Sequence, residues 1–270
     1  MQKNDDFVLT ADNYYSPEAN WRYMSVHQYL DFVGHMGVRG CEKRAMAALN
    51  GEYEKEKTTA MQIGSYVDAY FEGTLDDFKE KNPDVFTQKK ELKTSFKLAE
   101  KMIARAEQDE KFMAYMSGEK QVIKTGYLFG CDWKIKIDSY IPGKAIVDLK
   151  TTSDLHRAWR VQDFGYASVA EYWGYTVQMA VYQKIVEIDT GEKLPCILAF
   201  VTKEDSPEIK LCYIDQMTLD HALNEVEMNM ASVLAVKNGD TEPIPCGKCD
   251  YCKATEPIRE VINIANLIEE

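Results

Sequence analysis

One segment in the middle of the chain most constrains the fold, because it predicts a β-hairpin with charges at fixed positions. Residues 134–138 (KIKID) and 145–152 (AIVDLKTT) are rich in β-branched residues, and Pro142-Gly143-Lys144 lies between them. Such runs around a Pro-Gly turn are typical of two paired strands. Strand side chains alternate between the two faces, so Asp148 and Lys150 share one face, and Asp138 ends the first strand.

The charges of this hairpin predict a metal site. Two carboxylates and a lysine that converge at strand ends can hold a divalent cation and supply a second positive charge, an arrangement suited to phosphodiester hydrolysis. The alternative is a surface salt bridge, since Asp-x-Lys is a common chance pattern. The apolar Ile146 and Val147 before Asp148 favour the metal site, because a buried strand rarely carries two charges without a role.

Composition narrows the class of protein. The 270 residues carry a formal net charge of −12, which argues against nonspecific coating of nucleic acid but not against an acidic metal site that cations neutralise. No apolar run is long enough to span a membrane, and the polar N-terminus (MQKNDD) lacks a signal core. We therefore expect a cytoplasmic protein without a membrane partner. Seven cysteines favour thiols or metal ligands over disulfides.

The hydrophobic pattern predicts an α/β domain with a mixed central β-sheet flanked by helices. We expect one domain over residues 1–270, with a helical N-terminal part (about 20–120), a core (121–240) and a Cys-rich C-terminal segment (241–270). The predicted helices follow Ser25 and cover residues 41–50, 58–73, 94–116, 170–188 and 219–238. The predicted strands cover residues 121–129, 131–140, 145–150, 196–202 and 209–214.

Two helices contribute further polar candidates. Gln178 and Tyr182 lie one turn apart on the same face of a helix and can contact phosphate or orient water, although a polar seam of a half-buried helix would look the same. Asp68 lies among apolar residues four positions after Gly64, which suits a cation ligand or, equally, a solvent-facing carboxylate. The four histidines are scattered, pair with no serine or cysteine, and are not expected in the site.

Taken in order, these pieces resemble a known family. Gly64-x-x-x-Asp68, Asp138, Asp148-x-Lys150 and Gln178-x-x-x-Tyr182 resemble the PD-(D/E)XK nuclease superfamily, in its RecB-like and RecE-like exonuclease (exodeoxyribonuclease VIII-like) branch, over residues 25–255. That branch usually has histidine where this chain has Asp68. The resemblance implies that Mg²⁺ or Mn²⁺ is bound by Asp68, Asp138, Asp148 and the Leu149 carbonyl. Lys150 would then orient or deprotonate the attacking water, and Gln178 and Tyr182 would position DNA or water.

The same resemblance implies a DNA exonuclease that processes double-stranded ends for recombination, as in phage modules. A single-strand annealing protein would be its partner, and homo-oligomeric rings occur among RecE-like enzymes. Two alternatives stay open. One is an iron-sulfur nuclease of DNA repair that acts on single strands. The other is a catalytically inactive DNA-binding or scaffold protein with the same fold.

A cysteine cluster near the C-terminus is the second strong signal. Cys246, Cys249 and Cys252 have the C-x-x-C-x-x-C spacing of a metal site that lacks one ligand. Iron-sulfur members of the resembled branch join one N-terminal cysteine to three C-terminal ones, which implies Cys41 as the fourth ligand. A [4Fe-4S] cluster, a structural Zn²⁺ and free thiols remain alternatives. Cys131, Cys196 and Cys212 fall in predicted strands and are expected to be buried.

Overall fold

The structure, a computed structural model, describes residues 7–161, 164–258 and 260–267. The polar N-terminal residues 1–6 and the final residues 268–270 of the predicted Cys-rich segment lie outside these ranges. The helices are α1 (Pro17–Arg22), α2 (Val26–Val33), α3 (Glu42–Leu49), α4 (Thr59–Glu72), α5 (Leu75–Lys81), α6 (Thr94–Glu107), α7 (Glu110–Tyr115), α8 (Val169–Tyr172), α9 (Tyr175–Thr190), α10 (Gln216–Lys237) and α11 (Asp250–Thr255), with short 3₁₀ turns at Pro83–Val85 and Ile264–Leu267.

The strands form one main sheet and two small hairpins. They are β1 (Gly34–His35), β2 (Val38–Arg39), β3 (Glu119–Leu128), β4 (Cys131–Ile141), β5 (Ala145–Thr152), β6 (Trp159–Val161), β7 (Gly165–Ala167), β8 (Cys196–Thr202) and β9 (Ile209–Tyr213). The main sheet has the order β3-β4-β5-β8-β9, and β1-β2 and β6-β7 are separate pairs. None of the helices in the described part of the chain is long and apolar enough to cross a membrane.

The main sheet is mixed, as the sequence predicts. β5 and β8 run parallel, with Ile146 opposite Cys196, whereas all other neighbours in this sheet are antiparallel. A parallel pair needs a crossover connection, and α8 and α9 lie in the chain between β5 and β8. The α/β prediction, with a mixed sheet flanked by helices, is therefore confirmed.

Helices cover both faces of the sheet. On one face a hydrophobic cluster joins β4 and β5 to α2, α9 and α10, with Ile146 and Met179 among its buried members. On the other face Val147 packs with Tyr66 of α4 and Met102 of α6. Because alternate residues of β5 enter opposite clusters, this strand is buried on both sides, which explains its nearly continuous apolar run.

Two predicted helices are each interrupted. The helix predicted over 94–116 is two helices, since Asp109 lies between α6 and α7 and its Oδ1 accepts a hydrogen bond from Phe112 N at 2.8 Å, an N-cap. The helix predicted over 170–188 is broken at Gly174, whose φ of 72° is left-handed and ends α8 before α9 begins. Asp109 and Gly174 are the local sequence signals for these two breaks, since aspartate favours an N-cap and glycine interrupts a helix.

Candidate active site and cysteine cluster

The β4–β5 hairpin opens at the position of the predicted carboxylates. Its paired residues run from Ile141 opposite Ala145 to Ser139 opposite Val147. Beyond that pair the Leu149 N–H donates instead to Asp138 Oδ2 at 2.9 Å. Asp138 therefore occupies the point where pairing between the two strands stops, and its carboxylate is held by the neighbouring backbone.

An irregularity in β4 helps to orient Asp138. Trp133, Ile135, Ile137 and then Tyr140 all enter the same hydrophobic cluster, so the alternation of the strand shifts once around Asp138. On the adjacent strand β3, Gln121 has a φ of 51°, uncommon for a residue other than glycine. Its Nε2 donates to Asp138 Oδ1 at 3.2 Å. Such irregularities cluster at functional sites, where they aim a side chain.

Asp148 and Lys150 lie on one face of β5 and touch each other. Lys150 Nζ is 2.5 Å from Asp148 Oδ2, and Gln178 Nε2 donates to Asp148 Oδ1 at 2.6 Å. Asp148 is only 2% exposed, so both its oxygens are held inside the protein. The Lys150 ammonium also lies over the ring of Tyr175, 4.7 Å from its centroid. The contacts fix the position of the carboxylate and of the cation together.

Gln178 and Tyr182 lie next to the sheet in the interior. Tyr182 Oη donates to the Lys136 carbonyl at 3.1 Å, one helical turn from the contact between Gln178 and Asp148. Both side chains are buried. The shared helix face therefore directs Gln178 at the Asp148 carboxylate of β5 and Tyr182 at the backbone of β4.

The helix α4 adds Asp68 to the same region. Asp68, Glu72, Gln121, Asp138 and Leu149 line one narrow crevice. α4 approaches β5 closely at Gly64, where a Cβ atom would lie 3.0 Å from Thr151 Oγ1. The small residue thus lets the helix bring its carboxylates to the strand.

Mutual repulsion of these acids is visible in their pKa values. Burial, and next the charge of Asp148, raise the pKa of Asp138 to about 6. Burial and the charge of Asp138 raise the pKa of Asp68 well above its usual value, and burial raises that of Glu72. Burial opposes the Lys150 ammonium, but Asp148 and Asp138 outweigh it and raise the pKa of that lysine. The carboxylates therefore oppose one another's ionisation, and Lys150, together with Lys136 near Glu72 and Lys203 near Asp68, offsets this only in part.

The donor set of the crevice suits a hard divalent cation. Mg²⁺ and Mn²⁺ prefer carboxylate and carbonyl oxygens, which Asp68, Glu72 and Asp138 supply. Gln121 also lines the crevice, and its buried Oε1 has no hydrogen-bond partner in the described structure. A buried amide oxygen without a partner is costly unless a cation or water is there to meet it.

Sequence reasoning missed three residues of this region. Glu72 follows Asp68 by one helical turn, and that spacing was the available signal. Gln121 had no local signal, because its role depends on pairing between β3 and β4. His27 is not expected in the site, yet it is close enough to Lys150 for that charge, after burial, to help lower its pKa to about 4.

The four predicted cysteine ligands come together at a second location. The sulfur atoms of Cys41, Cys246, Cys249 and Cys252 all lie within 4.8 Å of one another. Cys41 and Cys252 are buried and the other two are half-buried. Of the cysteines predicted to be buried, Cys196 is buried and Cys131 half-buried, whereas Cys212 is exposed because it lies on the edge strand β9.

Comparison with known proteins decides the family. Residues 25–255 match the PDDEXK-like domain of unknown function (DUF3799). The chain belongs to this PDDEXK-like family. The crystal structure of a protein named "putative exonuclease" from Eubacterium rectale is 54% identical to it, with 97% of this chain and 98% of that chain aligned and a TM-score of 0.94.

The remaining comparisons provide no further support for the fold or the family. The crystal structure of SSO0001 aligns over 68% of this chain and 81% of that chain, at 14% identity and a TM-score of 0.26, which is too low to establish a common arrangement. A search of curated proteins gives no significant match. The PDDEXK-like match spans both the acidic crevice and the four cysteines, so both sites belong to the family domain.

Proposed function

We propose that this protein is a metal-dependent nuclease, and specifically an exonuclease that hydrolyses DNA from its ends. The observation that carries the proposal is the convergence of α4, β4 and β5 on one acidic crevice, with the Asp148–Lys150 contact beside it. Membership of the PDDEXK-like family and the name of the Eubacterium rectale relative support it. Fold alone would not carry an activity, but here the residues that the chemistry needs are also present.

Each group has a role in this proposal. Asp68, Glu72, Asp138 and Asp148, with the Leu149 carbonyl, would hold Mg²⁺ or Mn²⁺, and that ion would supply Lewis acidity toward water and phosphate. Lys150 places a positive charge beside the site, where it orients the water and balances the charge that develops on the phosphate. Gln178 positions Asp148, and Tyr182 holds the backbone of β4 through Lys136.

The biological setting follows from the resemblance described above. Processing of double-stranded ends for recombination, as in phage modules, would pair the enzyme with a single-strand annealing protein. Such an enzyme degrades one strand of a duplex from its end, and a ring of identical subunits would enclose the DNA. Light scattering of the purified protein measures the number of subunits directly.

Digestion of end-labelled linear duplex DNA, with closed circular DNA as control, tests the function. We expect loss of the linear substrate only, dependent on Mg²⁺ or Mn²⁺ and abolished by Asp148→Asn. Asp189→Asn is the matched control, because Asp189 pairs with Lys124 at the surface and should leave cleavage unchanged. Cleavage of circles would mean an endonuclease. A preference for single strands would favour the repair alternative, and no cleavage with either metal would favour the inactive DNA-binding protein.

A further inference from the structure

The sulfur atoms of the four cysteines form a compact cage. Cys41 Sγ lies 3.5 Å from Cys252 Sγ, and Cys246 Sγ lies 4.0 Å from the same atom. With Cys249 included, no separation within the set exceeds 4.8 Å. The dimensions of this cage limit what it can enclose.

Two metal centres require different cages. Zn²⁺ binds thiolates at about 2.3 Å, so a tetrahedral site places its sulfur atoms about 3.8 Å apart. In a [4Fe-4S] cluster each cysteine binds a different iron at a corner of a cube, which places the cysteine sulfurs about 6 Å apart. The observed separations lie near the first value and below the second. The cage therefore does not fit the iron-sulfur cluster that the resemblance implies.

The backbone around the cage is arranged for thiolates. Cys41 Sγ accepts hydrogen bonds from Arg44 N at 3.4 Å and Cys246 N at 3.5 Å. Cys246 Sγ accepts from Cys249 N at 3.3 Å, and Cys249 Sγ accepts from Cys252 N at 3.5 Å. Donors directed at sulfur stabilise the ionised form, which is the form that binds a metal.

We propose that Cys41, Cys246, Cys249 and Cys252 bind one Zn²⁺ ion in a closed tetrahedral site. Four thiolates leave no open coordination position, so the ion has a structural role and takes no part in hydrolysis. Zinc also binds such ligands more tightly than ferrous iron, which precedes it in the stability order of divalent metals. This inference does not depend on the nuclease activity.

The zinc site holds a segment that has few other attachments. It joins the start of α3 to residues 246–252, and Cys41 and Cys252 are 211 positions apart in sequence. The preceding residues 240–249 contain no helix or strand, and α11 has only six residues. Besides the cysteines, Lys43 pairs with Glu256, and Ile244 exchanges backbone contacts with α3, its N–H donating to Glu42 Oε2 at 2.8 Å and its carbonyl accepting from Lys43 N at 3.4 Å. The rings of Tyr53 and Tyr251 pack edge to face. A segment with so little core of its own needs the metal to stay folded against the domain.

The test is metal and sulfide analysis of the full chain purified without oxygen from iron-supplemented cells. We expect one zinc per chain, no acid-labile sulfide and no visible absorption band. After replacement of zinc by Co²⁺, the strong visible absorption of a tetrahedral thiolate site should appear. Four irons with four sulfides per chain, or one iron without sulfide, would overturn the proposal.

Two variants assign the metal to these cysteines. Cys249→Ser should reduce the zinc content to well below one per chain, whereas the exposed Cys212→Ser should retain it in full. Zinc content that is unchanged in Cys249→Ser, or lost in both variants, would contradict the assignment. Nuclease assays do not enter this test, so an inactive protein with one zinc per chain would reject the proposed function and still support the zinc site.

Discussion

The acidic crevice and the cysteine cage both gather polar side chains from distant parts of the chain, but they differ in how completely those side chains surround a metal position. The cage is a set of four sulfurs within 4.8 Å, three of which accept hydrogen bonds from neighbouring backbone N–H groups. The crevice holds carboxylates whose pKa values are raised by burial and by one another, with Lys150 as the adjacent cation. The cage would be complete in coordination with a single Zn²⁺ ion, whereas the crevice keeps carboxylates that oppose one another's ionisation.

This difference is the one expected between a structural metal site and a catalytic one. A closed thiolate site contributes to folding free energy and has no room for substrate. An acidic site whose carboxylates oppose one another's ionisation costs folding free energy, and it attracts a cation that can still accept water and phosphate. Variants that remove a carboxylate charge from the crevice should therefore lower activity and raise metal-free stability, whereas variants in the cage should lower stability.

The largest expected effect is on activity, from Lys150→Met. Removal of the positive charge beside the phosphate should lower kcat by about 10²–10³-fold, the usual effect of losing one group that stabilises charge in the transition state. Lys124→Met is the control, because Lys124 pairs with Asp189 away from the crevice. Turnover within a few-fold of the unmodified protein in Lys150→Met would show that this lysine has no role in the chemistry.

The second-largest effect is expected on the free energy of unfolding, from Cys249→Ser. Loss of one zinc ligand should destabilise the fold by about 3 kcal/mol and lower Tm by about 5–10 °C. Thermal unfolding followed by circular dichroism measures this shift, with Cys212→Ser expected to unfold like the unmodified protein. If Cys249→Ser keeps its Tm, the cage contributes nothing to folding and the contrast with the crevice fails.

Asp138→Asn should increase the free energy of unfolding in Mg²⁺-free buffer, the opposite of the effect expected from Cys249→Ser. Because the pKa of Asp138 is raised from 3.8 to about 6, the folded state binds its proton more tightly than the unfolded state does. Ionisation therefore costs stability as pH rises from about 4 to 6, and the asparagine removes that cost. At pH 8 we expect Asp138→Asn to be more stable by about 2 kcal/mol, and at pH 4 to match the unmodified protein.

Urea unfolding at both pH values measures this difference, and Asp189→Asn serves as the exposed control. The same Asp138→Asn variant should cleave no DNA, so that it gains stability and loses activity. A loss of stability at pH 8 would contradict the view that the crevice is destabilised by its own charge.

The smallest effect is expected from Glu72→Gln, which tests the ligand that sequence reasoning missed. Loss of one carboxylate charge at the crevice should weaken Mg²⁺ binding by about 10-fold. The Mg²⁺ concentration for half-maximal cleavage, or direct calorimetric titration, reports this change. Glu80→Gln, at an exposed position of α5, is the control. Equal Mg²⁺ dependence in the two variants would place Glu72 outside the metal site.

Local sequence patterns predicted much of this protein. Alternation of two residues located β4 and β5 and placed Asp148 and Lys150 on one face, and the Pro-Gly turn fixed the hairpin. The C-x-x-C-x-x-C spacing predicted three cysteines that the fold brings together in the cage. These features could be predicted because strand periodicity, turn chemistry and ligand spacing all act over fewer than ten residues.

Only the tertiary structure decided the rest. The orientation of Asp138 depends on the end of strand pairing and on Gln121 from a neighbouring strand, and Glu72 joins the crevice because α4 packs against β5. Cys41, which the resemblance implies as the fourth ligand, lies with cysteines more than 200 positions away, and the proposal of zinc rather than a cluster rests on the size of that cage. Distances across a fold are set by the packing of whole elements, and no local pattern in the chain records them.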